Sequence, residues 1–330
     1  MDITHKLYNS LVEIMDIQKG EVALIIHDEY SKPVSEVTRK ALEIGGVVVH
    51  TYLVSEEWRP LKSTPQDLRT LIERLKPTLF FNQLRGIGEE TPFRINLHHE
   101  ESRHGARVGH SPDINMGMID HPMTADFREI KQKAERLKLR FRGVTTLRVT
   151  APGGTDIVFS VLDRAFDDDI KIMPGHMGNL PAGEVWCAPV EHSMNGTIVC
   201  DGSIGDLGQV KSPLVICVED GHAIALSSED GELVKRVDEL IGVDDEASLC
   251  GEFGIGLNPG VTKLTGYPGT DEKCIGTVHI AVGWNEAAGG KNRSPSHVDF
   301  IIRPDTVTID GRQVITAGAF SGPAADLIGK

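Results

Sequence analysis

The sequence predicts an α/β protein: an N-terminal doubly wound parallel sheet domain, then a C-terminal α+β domain rich in short, largely antiparallel or barrel-like strands. Three observations predict this class. Strand-like and helix-like segments alternate over residues 1–142, short strands separated by Gly, Pro and Asp follow in residues 143–330, and 330 residues exceed what one hydrophobic core usually supports. We therefore expect a domain boundary between residues 142 and 143.

The N-terminal segments follow one another as βαβ units. In order they are the strand "EVALIIHD", the helix "PVSEVTRKALEIGG", the strand "VVVHTYLV", the helix "TPQDLRTLIERLK" and the strand "PTLFFNQL". Helices of this length between strands are typical of a parallel sheet, because parallel neighbours need a crossover connection. The charged, amphipathic segment "MTADFREIKQKAERLKLRFRG" predicts a bridging helix over about residues 123–141.

The C-terminal segments are short strands in quick succession. They are "GEVWCAP", "GTIVCDG", "LVICVEDGHAIAL", "GEFGIGLN", "GTVHIAVG", "HVDFIIRPD" and "TVTIDGRQVI". Only "SSEDGELVKRVDELIG" has a clear helical pattern. This spacing favours hairpins and antiparallel sheets.

Charge and composition exclude several classes of partner. The net charge of −14 disfavours a nucleic-acid partner, because the surface repels phosphate. No apolar run reaches a membrane-spanning length, and the N-terminus mixes charges of both signs, so we expect neither a signal peptide nor an anchor. The cysteines lie in or beside apolar runs, which predicts buried, reduced thiols and a cytoplasmic protein; they are Cys187, Cys200, Cys217, Cys250 and Cys274.

Ligand-type side chains recur at the strands of the C-terminal domain. Glu184 and Glu252 each open a strand after glycine, His279 lies inside an apolar strand, and His297 and Asp299 stand two apart on the last apolar strand. Residues two apart on a strand point to the same face, roughly 6.5–7 Å apart. Each residue alone also fits an exposed turn or a hydrogen-bonded core position. Together, five oxygen and nitrogen donors without a thiolate match a site for Zn²⁺, Co²⁺, Mn²⁺ or Fe²⁺.

The motifs that carry these residues resemble the aminopeptidase T family of two-metal metallopeptidases. The motifs are "GNLPAGEVWCAP", "GEFGIGLNPG", "GTVHIAVG" and "GGKNRSPSHVDFII", in this order along the chain. The resemblance implies that the five residues above are ligands of two divalent ions, Zn, Co or Mn, in a homodimer. It also implies release of N-terminal amino acids from small peptides or amides by a metal-activated water.

One departure from that family concerns Glu286. The family has a tyrosine seven residues after the histidine of "GTVH", where this chain has Glu286. A carboxylate there could serve as an oxygen ligand or as a general base, so Glu252 and Glu286 are the catalytic candidates for proton transfer.

Two alternatives to the hydrolase remain open. "GGKNRSPSHVD" is also similar to the mononuclear-iron dihydroxypyridine ring-cleaving dioxygenases, whose two-histidine, one-aspartate triad corresponds to His279, His297 and Asp299. Under this alternative the metal is Fe. The acids Glu184 and Glu252 favour the hydrolase. A non-catalytic, metal-stabilised binding protein is the third interpretation.

Overall fold

The computed structural model describes residues 2–103, 105–303, 306–309, 311–316 and 319–320. The helices are α1 (Ile3–Met15), α2 (Lys32–Ile44), α3 (Gln66–Leu75), α4 (Thr91–Ser102), α5 (Met116–Asp120), α6 (Phe127–Phe141), α7 (Gly231–Ile241) and α8 (Pro268–Asp271). The first strands are β1 (Val22–His27), β2 (Val48–Leu53), β3 (Leu79–Gln83), β4 (Arg107–His110), β5 (Thr146–Thr150), β6 (Asp156–Ser160), β7 (Asp167–Asp168), β8 (Met177–Asn179), β9 (Glu184–Cys187) and β10 (Asn195–Cys200). The later strands are β11 (Ser203–Ile204), β12 (Gly208–Gln209), β13 (Leu214–Glu219), β14 (His222–Ser227), β15 (Cys250–Gly256), β16 (Val278–Gly283), β17 (His297–Ile302), β18 (Thr306–Ile309), β19 (Arg312–Thr316) and β20 (Ala319–Phe320).

The chain divides into two compact units. The first consists of Met1–Arg128 and Asp169–Ala182, and the second of Glu129–Asp168 and Gly183–Lys330. The segment Asp169–Ala182 thus belongs to the first unit, although in sequence it lies between the two parts of the second unit. The domain boundary that the sequence predicts between residues 142 and 143 stays a prediction.

The first unit is built on a parallel sheet in the order β2-β1-β3-β4-β8. Its central strands are buried on both faces, as crossover helices require. One side of the core packs Leu24 and Phe80 of the sheet against Leu68 and Ile72 of α3. The predicted doubly wound parallel sheet is therefore confirmed.

The second unit contains two antiparallel sheets. Their orders are β14-β13-β10-β6-β5-β18-β19-β20 and β12-β11-β17-β16-β15-β9-β7. Phe159 of the first sheet and Phe253 of the second meet with ring centroids 5.2 Å apart, so one face of each sheet contributes to a shared core. The predicted antiparallel α+β character of this part is confirmed.

The predicted bridging helix is shorter than the sequence pattern suggested. Residues Pro122–Thr124 form a separate 3₁₀ turn, and α6 begins only at Phe127. Within the second unit, Lys131 and Lys138 of this helix bind the carboxylate of Asp168, at 2.8 and 2.5 Å. These ion pairs attach the helix to β7.

The apolar runs of the sequence predict buried cysteines and no membrane-spanning segment. All five cysteines are free thiols, and four are buried, but Cys217 is exposed. The interpretation of Cys217 as buried is wrong because β13 alternates its faces and this position points outward. Among the described residues, no helix has both the length and the apolar character needed to cross a bilayer.

Candidate metal centre

The five ligand-type residues of the sequence lie on four neighbouring strands of the seven-stranded sheet. These strands are β9, β15, β16 and β17. Glu252 pairs with Ala281, which pairs with Asp299, so both acids share one face of the sheet. His279 and His297 each stand two residues from a member of this row and therefore face the same side. The structure thus brings the scattered motifs together.

The opposite face of the same strands is apolar. Phe253 pairs with Ile280, and Ile280 pairs with Phe300; all three are fully buried. The strands therefore alternate between a core face and a face that carries acids and imidazoles. This alternation explains why charged residues occur in segments that otherwise have the composition of buried strands.

A glycine makes space for the ring of His279. Gly254 lies opposite His279 on the adjacent strand. A Cβ atom at Gly254 would lie 2.1 Å from Cε1 and Nε2 of the imidazole, far inside van der Waals contact. The ring therefore crosses over the neighbouring strand, toward the acids, only because position 254 has no side chain.

The side chains form one continuous cluster. Nε2 of His279 is 3.4 Å from Oε2 of Glu184 and 3.3 Å from Oε1 of Glu252. Nε2 of His297 is 3.9 Å from Oε2 of Glu252 and 3.5 Å from Oδ1 of Asp299. The His279 side chain is 1% exposed and that of His297 is 32% exposed. The cluster is therefore buried at one end and open at the other.

A backbone carbonyl fixes the orientation of His297. Its Nδ1 lies 2.8 Å from the carbonyl oxygen of Trp284, which can only accept, so Nδ1 carries the hydrogen and donates it. The other nitrogen, Nε2, then faces the carboxylates. Metal-binding histidines are commonly oriented in this way.

The acids shift the protonation of both histidines. Burial opposes charge on His279, but the Glu252 hydrogen bond and the charge of Glu184 outweigh it and raise its pKa to about 9. For His297, burial is likewise outweighed, chiefly by Asp299, and the pKa rises to about 10. Burial also opposes ionisation of Asp299, yet the charge of His297 lowers its pKa to about 2.

These shifts show a site that attracts positive charge. Without a metal, the carboxylates hold protons on both imidazoles; a bound divalent cation would supply that charge and release the protons. Two imidazoles with a carboxylate between neighbouring strands are a donor set that fits Fe²⁺, Zn²⁺ or Mn²⁺. The residues present therefore fit a divalent metal ion.

Sequence analysis missed two residues of the cluster. Glu272 has a carboxylate oxygen within 4.8 Å of ligand atoms of Glu184 and His279. Lys273 is fully buried, and its Nζ contacts Glu184 and lies 2.7 Å from Oε1 of Glu272. The charged triplet "DEK" has the composition of a solvated turn. Its one distinguishing sign in the sequence is its position two residues before "GTVH".

Glu286 lies apart from these contacts. It opens the 3₁₀ turn Glu286–Ala288 and is exposed, and Nε of Arg293 binds its Oε1 at 2.8 Å. Among the described residues, no hydrogen bond or ion pair joins Glu286 to the cluster. A role for Glu286 as ligand or base stays a prediction.

Comparison with known proteins gives two kinds of similarity. The family model described as "NicX: 2,5-dihydroxypyridine 5,6-dioxygenase" matches residues 120–322. A 2,5-dihydroxypyridine 5,6-dioxygenase of Pseudomonas putida KT2440 is 24% identical over 164 residues, which are 46% of this chain and 46% of that protein. The chain therefore matches about half the length of that relative.

Two solved structures share the fold of the whole chain. The structure of the 2,5-dihydroxypyridine dioxygenase from Pseudomonas putida KT2440 has a TM-score of 0.73 at 16% identity, covering 97% of each chain. Wild-type AmpT from Thermus thermophilus has a TM-score of 0.72 at 16% identity, covering 96% of this chain and 98% of that one. At this identity the two structures establish the fold and do not separate the two activities.

Proposed function

The chain belongs to the family described as NicX, 2,5-dihydroxypyridine 5,6-dioxygenase, and from this we propose that it is a mononuclear Fe(II) dioxygenase that opens a dihydroxylated pyridine ring. The sequence motifs alone favoured the two-metal aminopeptidase. The family model and the curated relative both support the dioxygenase alternative better. Both kinds of relative are enzymes, which supports an enzyme in either case.

The observation that carries this proposal is that His279 of β16 and His297 and Asp299 of β17 lie on the same face of the sheet, with His297 and Asp299 in direct contact. Two histidines and one carboxylate leave coordination positions open, which suits ferrous chemistry with dioxygen. When bound, the ion would supply oxygen activation. The reaction adds one atom of O₂ to each of two adjacent ring carbons and breaks the bond between those two carbons. Both oxygen atoms end in the product, so the reaction needs no external reductant.

The chain's own residues have separate tasks in this proposal. The Trp284 carbonyl holds His297 with Nε2 toward the site. Glu252, whose side chain is 16% exposed, lies beside both histidines. In this proposal it accepts the proton of a ring hydroxyl. Because His279 is buried and His297 partly exposed, substrate would enter from the His297 side.

The two-metal aminopeptidase stays a second candidate for one specific reason. Glu184 and Glu252 both lie in the cluster, and two additional acids are what a second divalent ion needs. The fold similarity to AmpT is compatible with it. In that case the substrate is a small peptide or amide, and both candidates are compatible with the homodimer that the resemblance to the aminopeptidase T family implies.

Oxygen consumption separates the two functions. After anaerobic reconstitution with Fe²⁺, we expect one O₂ consumed per 2,5-dihydroxypyridine opened, and both atoms of ¹⁸O₂ recovered in the product by mass spectrometry. His297→Ala should lower the rate by about 100-fold or more, since a metal ligand is removed. Glu229→Gln, at an exposed position outside the cluster, should stay within about twofold of wild type.

Two other results would contradict the dioxygenase proposal. Cleavage of aminoacyl amides with Co²⁺ or Zn²⁺, without oxygen uptake under ferrous conditions, would replace the dioxygenase by the hydrolase. Metal binding with neither activity would support the non-catalytic interpretation.

A further inference from the structure

A buried lysine lies where a second metal ion would have to bind. Lys273 is 0% exposed, and its Nζ contacts one oxygen of Glu184 and, at 2.7 Å, one oxygen of Glu272. Both acids belong to the group of ligand atoms that lie within 4.8 Å of one another. The ammonium therefore sits among the oxygens that would otherwise be available to a divalent cation.

Backbone contacts hold the Lys273 segment against β15, beside Glu184. The carbonyl oxygen of Lys273 accepts a hydrogen bond of 3.0 Å from the Asn258 amide. At Gly256, an added Cβ would lie 2.1 Å from the carbonyl oxygen of Cys274 and 2.8 Å from the carbonyl carbon of Lys273. The segment thus packs directly on β15, at the residue that pairs with Glu184.

The cluster is consequently divided into two parts. Glu184 and Glu272 face the lysine ammonium, while His297 and Asp299 lie at the partly exposed end. His279 and Glu252 stand between the two parts. An ammonium and a divalent ion compete for the same carboxylate lone pairs and repel each other at this range.

We propose that Lys273 is a built-in cation that takes the place of a second metal ion, and that it thereby restricts the site to one divalent ion per chain. This inference rests on the metal site of the proposed function and names the residue that sets its metal number. It makes Lys273 a positioning residue, one that acts through Glu184 and Glu272 and does not itself react.

The test is a count of bound ions, independent of activity. The full chain is stripped of metal with a chelator, titrated anaerobically with Co²⁺, and the bound metal is measured by equilibrium dialysis and elemental analysis. Wild type should bind one equivalent. Lys273→Met, which keeps the volume and removes the charge, should bind two. Lys263→Met, an exposed lysine in the same connection between β15 and β16, is the matched control and should bind one.

A folding check accompanies each variant, because an uncompensated pair of buried acids is destabilising. If Lys273→Met is not folded by circular dichroism, Lys273→Gln, which keeps a donor for the carboxylates, takes its place with the same expected second equivalent. Two equivalents in wild type would overturn the inference, as would one equivalent in a folded, uncharged variant.

These outcomes are distinct from failure of the proposed function. One equivalent in wild type and two in the variant, without oxygen uptake, would support the role of Lys273 and count against the dioxygenase. Two equivalents in wild type together with oxygen uptake would count against the role of Lys273 and support the dioxygenase. No bound ion at all would overturn both.

Discussion

The replacement of Gly254 by alanine tests whether the metal centre depends on a missing side chain. The added Cβ would lie 2.1 Å from Cε1 and Nε2 of His279, whereas ordinary contact begins at 3.4 Å. The ring must therefore move by at least about 1.3 Å (3.4 − 2.1), or β15 and β16 must separate. Metal–ligand distances tolerate only about 0.2 Å, so His279 should be lost as a ligand.

Metal affinity is the appropriate assay for this change. Loss of one ligand should weaken Co²⁺ or Fe²⁺ binding by about 100-fold or more, and the crowding itself should cost about 1–3 kcal/mol of folding free energy. Gly231→Ala is the matched control, because nothing lies within 4 Å of its added Cβ. Wild-type metal affinity in a folded Gly254→Ala variant would refute the argument that this glycine positions His279.

Two further predictions concern buried charges of the first unit. Burial raises the pKa of Glu101 from 4.5 to about 8, so the stability that its neutral form contributes is complete below pH 4.5 and is lost as the pH rises through 8. In urea unfolding, the free energy of unfolding of Glu101→Gln relative to wild type should therefore be higher at pH 9 than at pH 5, by an upper limit of roughly 4–5 kcal/mol. The same difference between variant and wild type at both pH values would contradict this. Arg59, 3% exposed, binds Asp28 and Glu90, so Arg59→Met should cost about 3–5 kcal/mol in the same assay. Arg148→Met, which removes an exposed ion pair, should cost about 1 kcal/mol or less, and equal losses would show that burial is not the cause.

The sequence was sufficient where the determining interactions are local. The twofold alternation of "HVDFII" predicted that His297 and Asp299 share a face, and β17 places them so. The regular alternation of strands and helices likewise predicted the parallel sheet, because each crossover helix is encoded beside its strands.

Single-strand patterns also had clear limits. "LVICVED" is apolar on both faces, and nothing in it distinguishes the outward position of Cys217 from the buried ones. Similarly, the start of α6 at Phe127 depends on how residues 122–124 turn, which helical periodicity does not reveal. In both cases the outcome is set by neighbouring elements that the local pattern does not contain.

The sequence by itself predicted the fold class and indicated five of the donors, since strand periodicity and residue chemistry can be recognised in short stretches of chain. Only the tertiary structure decided which charges meet. In the folded chain, Lys273 contacts Glu184 and Glu272 in the interior, whereas Glu286 lies on the surface and binds Arg293. The physical reason is that burying a charged loop residue is costly unless a partner of opposite charge compensates it, and Glu184, which compensates Lys273, lies 89 residues away in sequence, outside any local pattern.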